Sequence, residues 1–147
     1  MQVDVVTETV IERPRAVVAA FARDPDNVPS WYRNIKSVEW KTSRPLTLGS
    51  RIGFVADFLG RRLVYTYEVV EIDDDARFVM RTADGPFPME TTYEWESLGP
   101  ERTRMILRNC GEPTGFSALM SPLMSNMMRQ ANRKDLILLK QTLERGG

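Results

Sequence analysis

Tyr65, Tyr67 and Trp95 are aromatic residues that each carry a hydrogen-bond donor, and all fall in stretches where apolar and polar residues alternate. A period of two sends every second side chain to one surface. With Glu68 outward, Tyr65, Tyr67 and Val69 point inward. A buried phenol or indole N–H needs a partner, and a ligand oxygen can be one. Asn109, in phase with Met105 and Leu107, adds an amide to that surface. Tyr65, Tyr67 and Asn109 are therefore the candidates for polarising a carbonyl by hydrogen bonding. Other chemistries are closed off by what the chain lacks. It has no His, hence neither the usual general base near neutral pH nor the commonest metal ligand. Ser-His-Asp and Cys-His nucleophiles are excluded with it. One cysteine, Cys110, leaves a zinc site to carboxylates almost alone, so neither metal nor cofactor is expected. Asp57 and Arg81 fall on outward positions that suit surface ion pairs. Asp135 sits at the edge of a helical stripe, where a cap or a rim salt bridge is the plain reading. The Asp73-Asp74-Asp75 turn lacks the spacing and the later Glu of a calcium loop. No acid–base pair stands out.

Methionine supplies the second pattern. Met120, Met124, Met127 and Met128 follow i, i+4, i+7 and i+8, and Met80 and Met105 are in phase on the alternating stretches. Met fills irregular space, which suits a loose core and a permissive binding wall alike. The inward set of Phe54, Phe58, Phe78, Tyr93 and Leu107 is open to the same two readings.

These residues need elements to hold them. Residues 3–12 alternate as a half-buried strand, with Val5, Thr7, Thr9 and Ile11 on one face. Pro14 opens a short helix carrying Val17, Val18 and Phe21, and Asp24-Pro25 ends it. Asp26 or Asn27 caps a second short helix that sets Trp31 and Ile35 on one face. Strands then succeed one another from residue 37 to 109, separated by Gly, Pro and Asp turns such as Asp84-Gly85-Pro86. From Phe116 onward one apolar stripe continues through Leu123, Leu138 or Leu139, and Leu143. A helix over 122–145 would be roughly 36 Å long, at about 1.5 Å per residue.

The 147 residues suit a single domain spanning 1–147. Apolar residues at 42% and charged residues at 27% are ordinary for a globular chain, which argues against disorder. Twenty basic and twenty acidic residues cancel, so the footprint of nucleic-acid binding is missing. No apolar run reaches the ~20 residues of a membrane-spanning helix. The first residues enter a strand pattern with no signal peptide ahead, and a cytoplasmic protein is expected. The composition is compatible with a homodimer.

The order of elements and several local signatures resemble the START-like (SRPBCC) superfamily that includes the polyketide cyclase/dehydrase proteins. Arg13-Pro14, Phe21, Asp24 and Trp31-Tyr32 are similar to its first βαα unit. Tyr67-x-Val69-x-Glu71 is similar to its fourth strand, and residues 135–144 to its closing helix. The resemblance implies an α+β helix-grip fold: a curved seven-stranded antiparallel sheet, two short helices, and a long C-terminal helix over a cavity. The cavity wall would then draw Trp31 from the short helices and Met120, Met124, Met127 and Met128 from the long one. The strands would add Phe54, Phe58, Tyr65, Tyr67, Met80, Tyr93, Trp95, Met105 and Asn109. The expected function is binding or carriage of an apolar small molecule, polyketide-, lipid- or aromatic-like. An alternative is a cofactor-independent cyclase, aromatase or dehydratase using Tyr65, Tyr67 and Asn109. A third is a lipid-transfer or protein-interaction module with Phe87, Met89 and Phe116 as exposed apolar lips.

Overall fold

Alternation in the first strand, β1 (Val3–Ile11), buries Val3, Val5, Thr7 and Ile11 and exposes Asp4, Val6 and Glu8. The computed structural model describes residues 3–58, 60–112 and 121–146. After β1 come α1 (Arg15–Arg23), a 3-10 turn (Pro25–Asn27) and the four-residue α2 (Val28–Trp31). Strands β2 (Ile35–Trp40), β3 (Arg51–Phe58), β4 (Arg61–Asp73), β5 (Arg77–Asp84), β6 (Met89–Gly99) and β7 (Arg102–Gly111) follow, and α3 (Ser121–Arg145) closes the chain. Pro14 precedes the first turn of α1, where its missing N–H costs nothing. Asp24 caps the 3-10 turn, its carboxylate accepting the Asp26 N–H at 3.0 Å.

The second short helix is shorter than its apolar spacing implies. Tyr32 leaves it in an extended conformation (ψ 107°), so Ile35 begins β2 instead of sharing a helical face with Trp31. Four residues cannot carry an i, i+4 stripe.

The strands form one seven-stranded antiparallel sheet in the order β1-β7-β6-β5-β4-β3-β2. Every sequential pair from β2 to β7 is adjacent, as short connections require. Register breaks at Ile35/Ser37, Thr66/Tyr67, Val69/Glu71 and Ser97/Gly99 are bulges. Each adds local twist and bends its strand, and the sheet curves around a concave face. On the opposite face cross-strand ion pairs link Asp4–Arg108, Arg51–Glu68, Arg81–Glu90 and Glu96–Arg104. This is the helix-grip arrangement expected from the sequence.

α3 grips that sheet with Met124, Leu136, Leu139 and Leu143, each at most 5% exposed. Its C-terminal end is tied to the corner between β1 and α1. The Arg13 guanidinium donates to the Leu143 carbonyl (2.6 Å), Lys140 donates to the Val10 carbonyl (2.7 Å), and the Glu12 N–H donates to Glu144 (2.8 Å). Cations at a helix C-terminus also suit its dipole. Two members of the expected stripe turn outward: Leu123 is 49% and Met127 39% exposed. Each stands about 100° around the helix from its inward neighbour, the buried Met124 or the half-buried Met128. Leu139, not Leu138, is the fully buried member of that pair.

Candidate functional site

Between the concave face and α3 lies a cavity of ≈130 Å³. Alternation along β3–β7 brings Phe54, Tyr65, Tyr67, Met80, Tyr93 and Asn109 to its wall, and α3 contributes Met124 and Met128. These eight are sequence candidates that the fold gathers in one place. Phe87 and Met89, expected as exposed lips, also line it; Phe87 is buried and Met89 half-buried. The turn after β5 folds them inward, so the exposed-lip reading fails for both.

Four other candidates stand elsewhere. Trp31, Trp95 and Met105 are buried (0, 3 and 0% exposed) but belong to the packed core, not to the wall. Trp95 and Met105 are directly paired across β6 and β7, on the strands where α1 packs. Strand parity assigns them the correct face, while their level along the strand puts α1 where the cavity would be. Trp31 sits behind Tyr32 and Tyr93, with ring centroids at 4.2 and 5.8 Å. Met127 is exposed, as above. Met120, Phe116 and the Phe58 side chain lie outside the described residues.

Polar groups interrupt the apolar wall at Asn34 and Asp57 and in two further patches. On the sheet side Thr91 donates its hydroxyl proton to Asn109 Oδ1 at 2.6 Å and lies 2.9 Å from the Tyr67 hydroxyl. Thr91 has one proton, so Tyr67 must be the donor to Thr91. The Tyr67 phenol therefore offers lone pairs, not its proton, and Asn109 Oδ1 already accepts. This removes Tyr67 from its expected polarising role. Burial holds the Tyr67 phenol at a pKa of about 12. Burial likewise raises Tyr32, Tyr65 and Tyr93 above the ordinary phenol range. All four tyrosines are neutral at physiological pH and serve as hydrogen-bonding groups, not bases.

The other polar patch is on the α3 side and was not legible as such. Asp135, expected as a cap or rim residue, is 2% exposed and lines the cavity. Its carboxylate accepts the Arg33 N–H at 3.0 Å, tying the segment after α2 to α3. Burial pushes the Asp135 carboxyl up to about 6, against the pull of the Arg33 N–H and charge. Asn132, one turn earlier, is 4% exposed and also on the wall. Tyr32 completes the group: Tyr93 donates to its hydroxyl at 3.1 Å, which leaves the Tyr32 proton uncommitted. The signal was present in the spacing, since Met128, Asn132, Asp135 and Leu139 follow i, i+4, i+7 and i+11. A stripe traced through apolar residues alone passes over both polar members. Among the described residues no group of three or more His, Cys, Asp or Glu side chains could hold a metal ion. No described helix is long and apolar enough to cross a membrane.

Residues 2–144 match the family described as polyketide cyclase / dehydrase and lipid transport. No curated protein matches the chain. Among solved structures, a Thermus thermophilus protein is similar at 25% identity and a TM-score of 0.82, covering 94% of each chain. A START superfamily protein from Mycobacterium smegmatis is similar at 15% identity and a TM-score of 0.81, covering 95% of this chain and 98% of its own. The Zhui aromatase/cyclase from Streptomyces reaches 0.81 at 14% identity, covering 99% of this chain and 95% of its own. The match along nearly the whole sequence means that this chain, which shares the fold of these structures, belongs to the polyketide cyclase / dehydrase and lipid transport family.

Proposed function

We propose that the protein binds and carries an apolar small molecule, a compound of one or two rings or an acyl chain of similar bulk, between the sheet and α3. The observation that carries this reading is the cavity itself, walled mainly by apolar side chains with a minority of polar groups among them. That is the usual form of a small-molecule site. The reading takes residues 1–147 as one domain working in the cytoplasm without metal or cofactor. Native mass spectrometry of protein purified gently from its own host, followed by denaturing release, tests it. A stoichiometric apolar adduct is expected. Protein that is empty there, and that also takes up no added bicyclic hydrocarbon, would overturn carriage.

A second reading has its own observation. A buried carboxylate with a pKa of about 6 and a phenol with an uncommitted proton share one wall. A carboxylate poised near neutrality suits proton abstraction beside a carbonyl, and the phenol would polarise that carbonyl. Asp135 as base and Tyr32 as donor would make the protein a cofactor-independent cyclase or dehydratase. The likeness to an aromatase/cyclase points the same way. The mark of this activity is turnover that rises in a single step near pH 6.

A further inference from the structure

Among the described residues three buried side-chain nitrogens have no hydrogen-bond partner: Trp31 Nε1, Trp95 Nε1 and Asn132 Nδ2. Both indoles belong to the packed core, and only Asn132 is on the cavity wall. A buried donor left unpaired is rare and costly. Beside it, on the segment that Asp135 ties to α3, the Tyr32 hydroxyl accepts from Tyr93 and keeps its own proton. Two donors thus line the same cavity, with no acceptor of the chain assigned to either.

We infer that this end of the cavity is a ketone subsite, in which Asn132 Nδ2 and the Tyr32 hydroxyl donate to one carbonyl oxygen of the apolar ligand while Asp135 turns carboxylates away. The inference rests on the carrier reading above and names the class of ligand within it. Asp135 lies one helical turn from Asn132 and is faced by Arg33, Tyr32 and Tyr93. Arg33 is an exposed side chain whose backbone N–H, not its guanidinium, makes the bond to Asp135. At pH 7.5 the Asp135 carboxylate is therefore mostly ionised. A ligand carboxylate would meet a buried like charge, which is rejection by repulsion. Neutral aryl or acyl ketones fit the subsite and fatty acids do not.

Calorimetric titration at pH 7.5 with 2-ethylnaphthalene, 2-acetylnaphthalene and 2-naphthoic acid tests this. These probes share one bicyclic body and differ in the group offered to the subsite. The ketone should bind roughly tenfold more tightly than the hydrocarbon, the gain expected of one or two net hydrogen bonds. The acid should bind more weakly than the ketone. Asn132→Leu should erase most of the ketone preference, read as the ratio of ketone to hydrocarbon affinity within the same variant. Tyr32→Phe, which keeps the ring against Trp31, should lower the preference by itself and serves if the first variant does not fold. Equal wild-type affinity for ketone and hydrocarbon would overturn the subsite, as would a preference that survives both substitutions. An acid bound as tightly as the ketone would overturn the exclusion by Asp135. Binding of the hydrocarbon without discrimination would sink the subsite and leave the carrier reading standing. Failure of all three probes to bind would sink both.

Discussion

Asp135 is buried on the cavity wall, where its carboxylate accepts the Arg33 N–H. Its folded pKa of about 6 stands above the value of 3.8 ordinary for an exposed aspartate. The sign of its effect follows from linkage. Below about pH 4 the carboxyl is neutral folded or unfolded, and it costs nothing. Between about pH 4 and 6 the folded state still holds a proton that the unfolded chain has released, so this group's contribution falls as pH rises. Asp135→Asn keeps an acceptor for Arg33 and removes the charge. Its stability relative to the wild type should grow by about 1–3 kcal/mol between pH 4 and pH 7, the scale of a shift of about two pKa units. Urea unfolding of both proteins at the two pH values measures it, and parallel pH profiles would show that the carboxyl is not perturbed. Asp4, Asp26 and Glu144 move the opposite way, held low by hydrogen bonds with Arg108, with Trp40 and Arg44, and with Lys140 and the Glu12 N–H. Their contributions are lost as pH falls through the carboxylate range, in both proteins equally, and cancel in the difference.

At the scale of elements, α3 decides how much of the Met and Leu pattern becomes interior. Leu139 is fully buried against the sheet, whereas Leu123 and Met127 face out. Leu139→Ala should cost about 2–5 kcal/mol, the range for truncating a buried leucine. Met127→Ala should stay within about 0.5 kcal/mol, as surface substitutions do. Chemical denaturation distinguishes this arc from the broader stripe, on which Met127 would cost as much as Leu139. Strand elements were easier to read. From residue 51 to 111 the alternation assigns the inner face correctly at Phe54, Tyr65, Tyr67, Met80, Tyr93, Trp95, Met105 and Leu107. Parity is a local property of a pleated backbone. Which level along a strand meets a cavity is not, and α1 is what places Trp95 in the core.

The whole molecule holds open a space that its core could have filled, and the curved sheet with α3 across it is what keeps that space. Ala131 is a half-buried position on α3 that lines the cavity. Ala131→Phe should occupy the space and lower hydrocarbon affinity at least tenfold. Its melting temperature should change little, because added bulk meets a void instead of packed atoms. Titration with 2-ethylnaphthalene beside a thermal melt reads both, and unchanged affinity would show that ligands bind elsewhere. By itself the sequence determined the succession of elements, the inward face of each strand, the exclusion of histidine and thiol–imidazole chemistry, and, through its resemblance, the family. Those depend on residue type and on spacing within a few positions. Only the tertiary structure decided that Asp135, Asn132 and Tyr32 share one wall, that the Tyr67 proton is committed to Thr91, and that Phe87 turns inward. The physical reason is one of distance. Each outcome depends on which side chain arrives opposite from a remote part of the chain, as Arg33 does for Asp135 and Asn109 for Thr91.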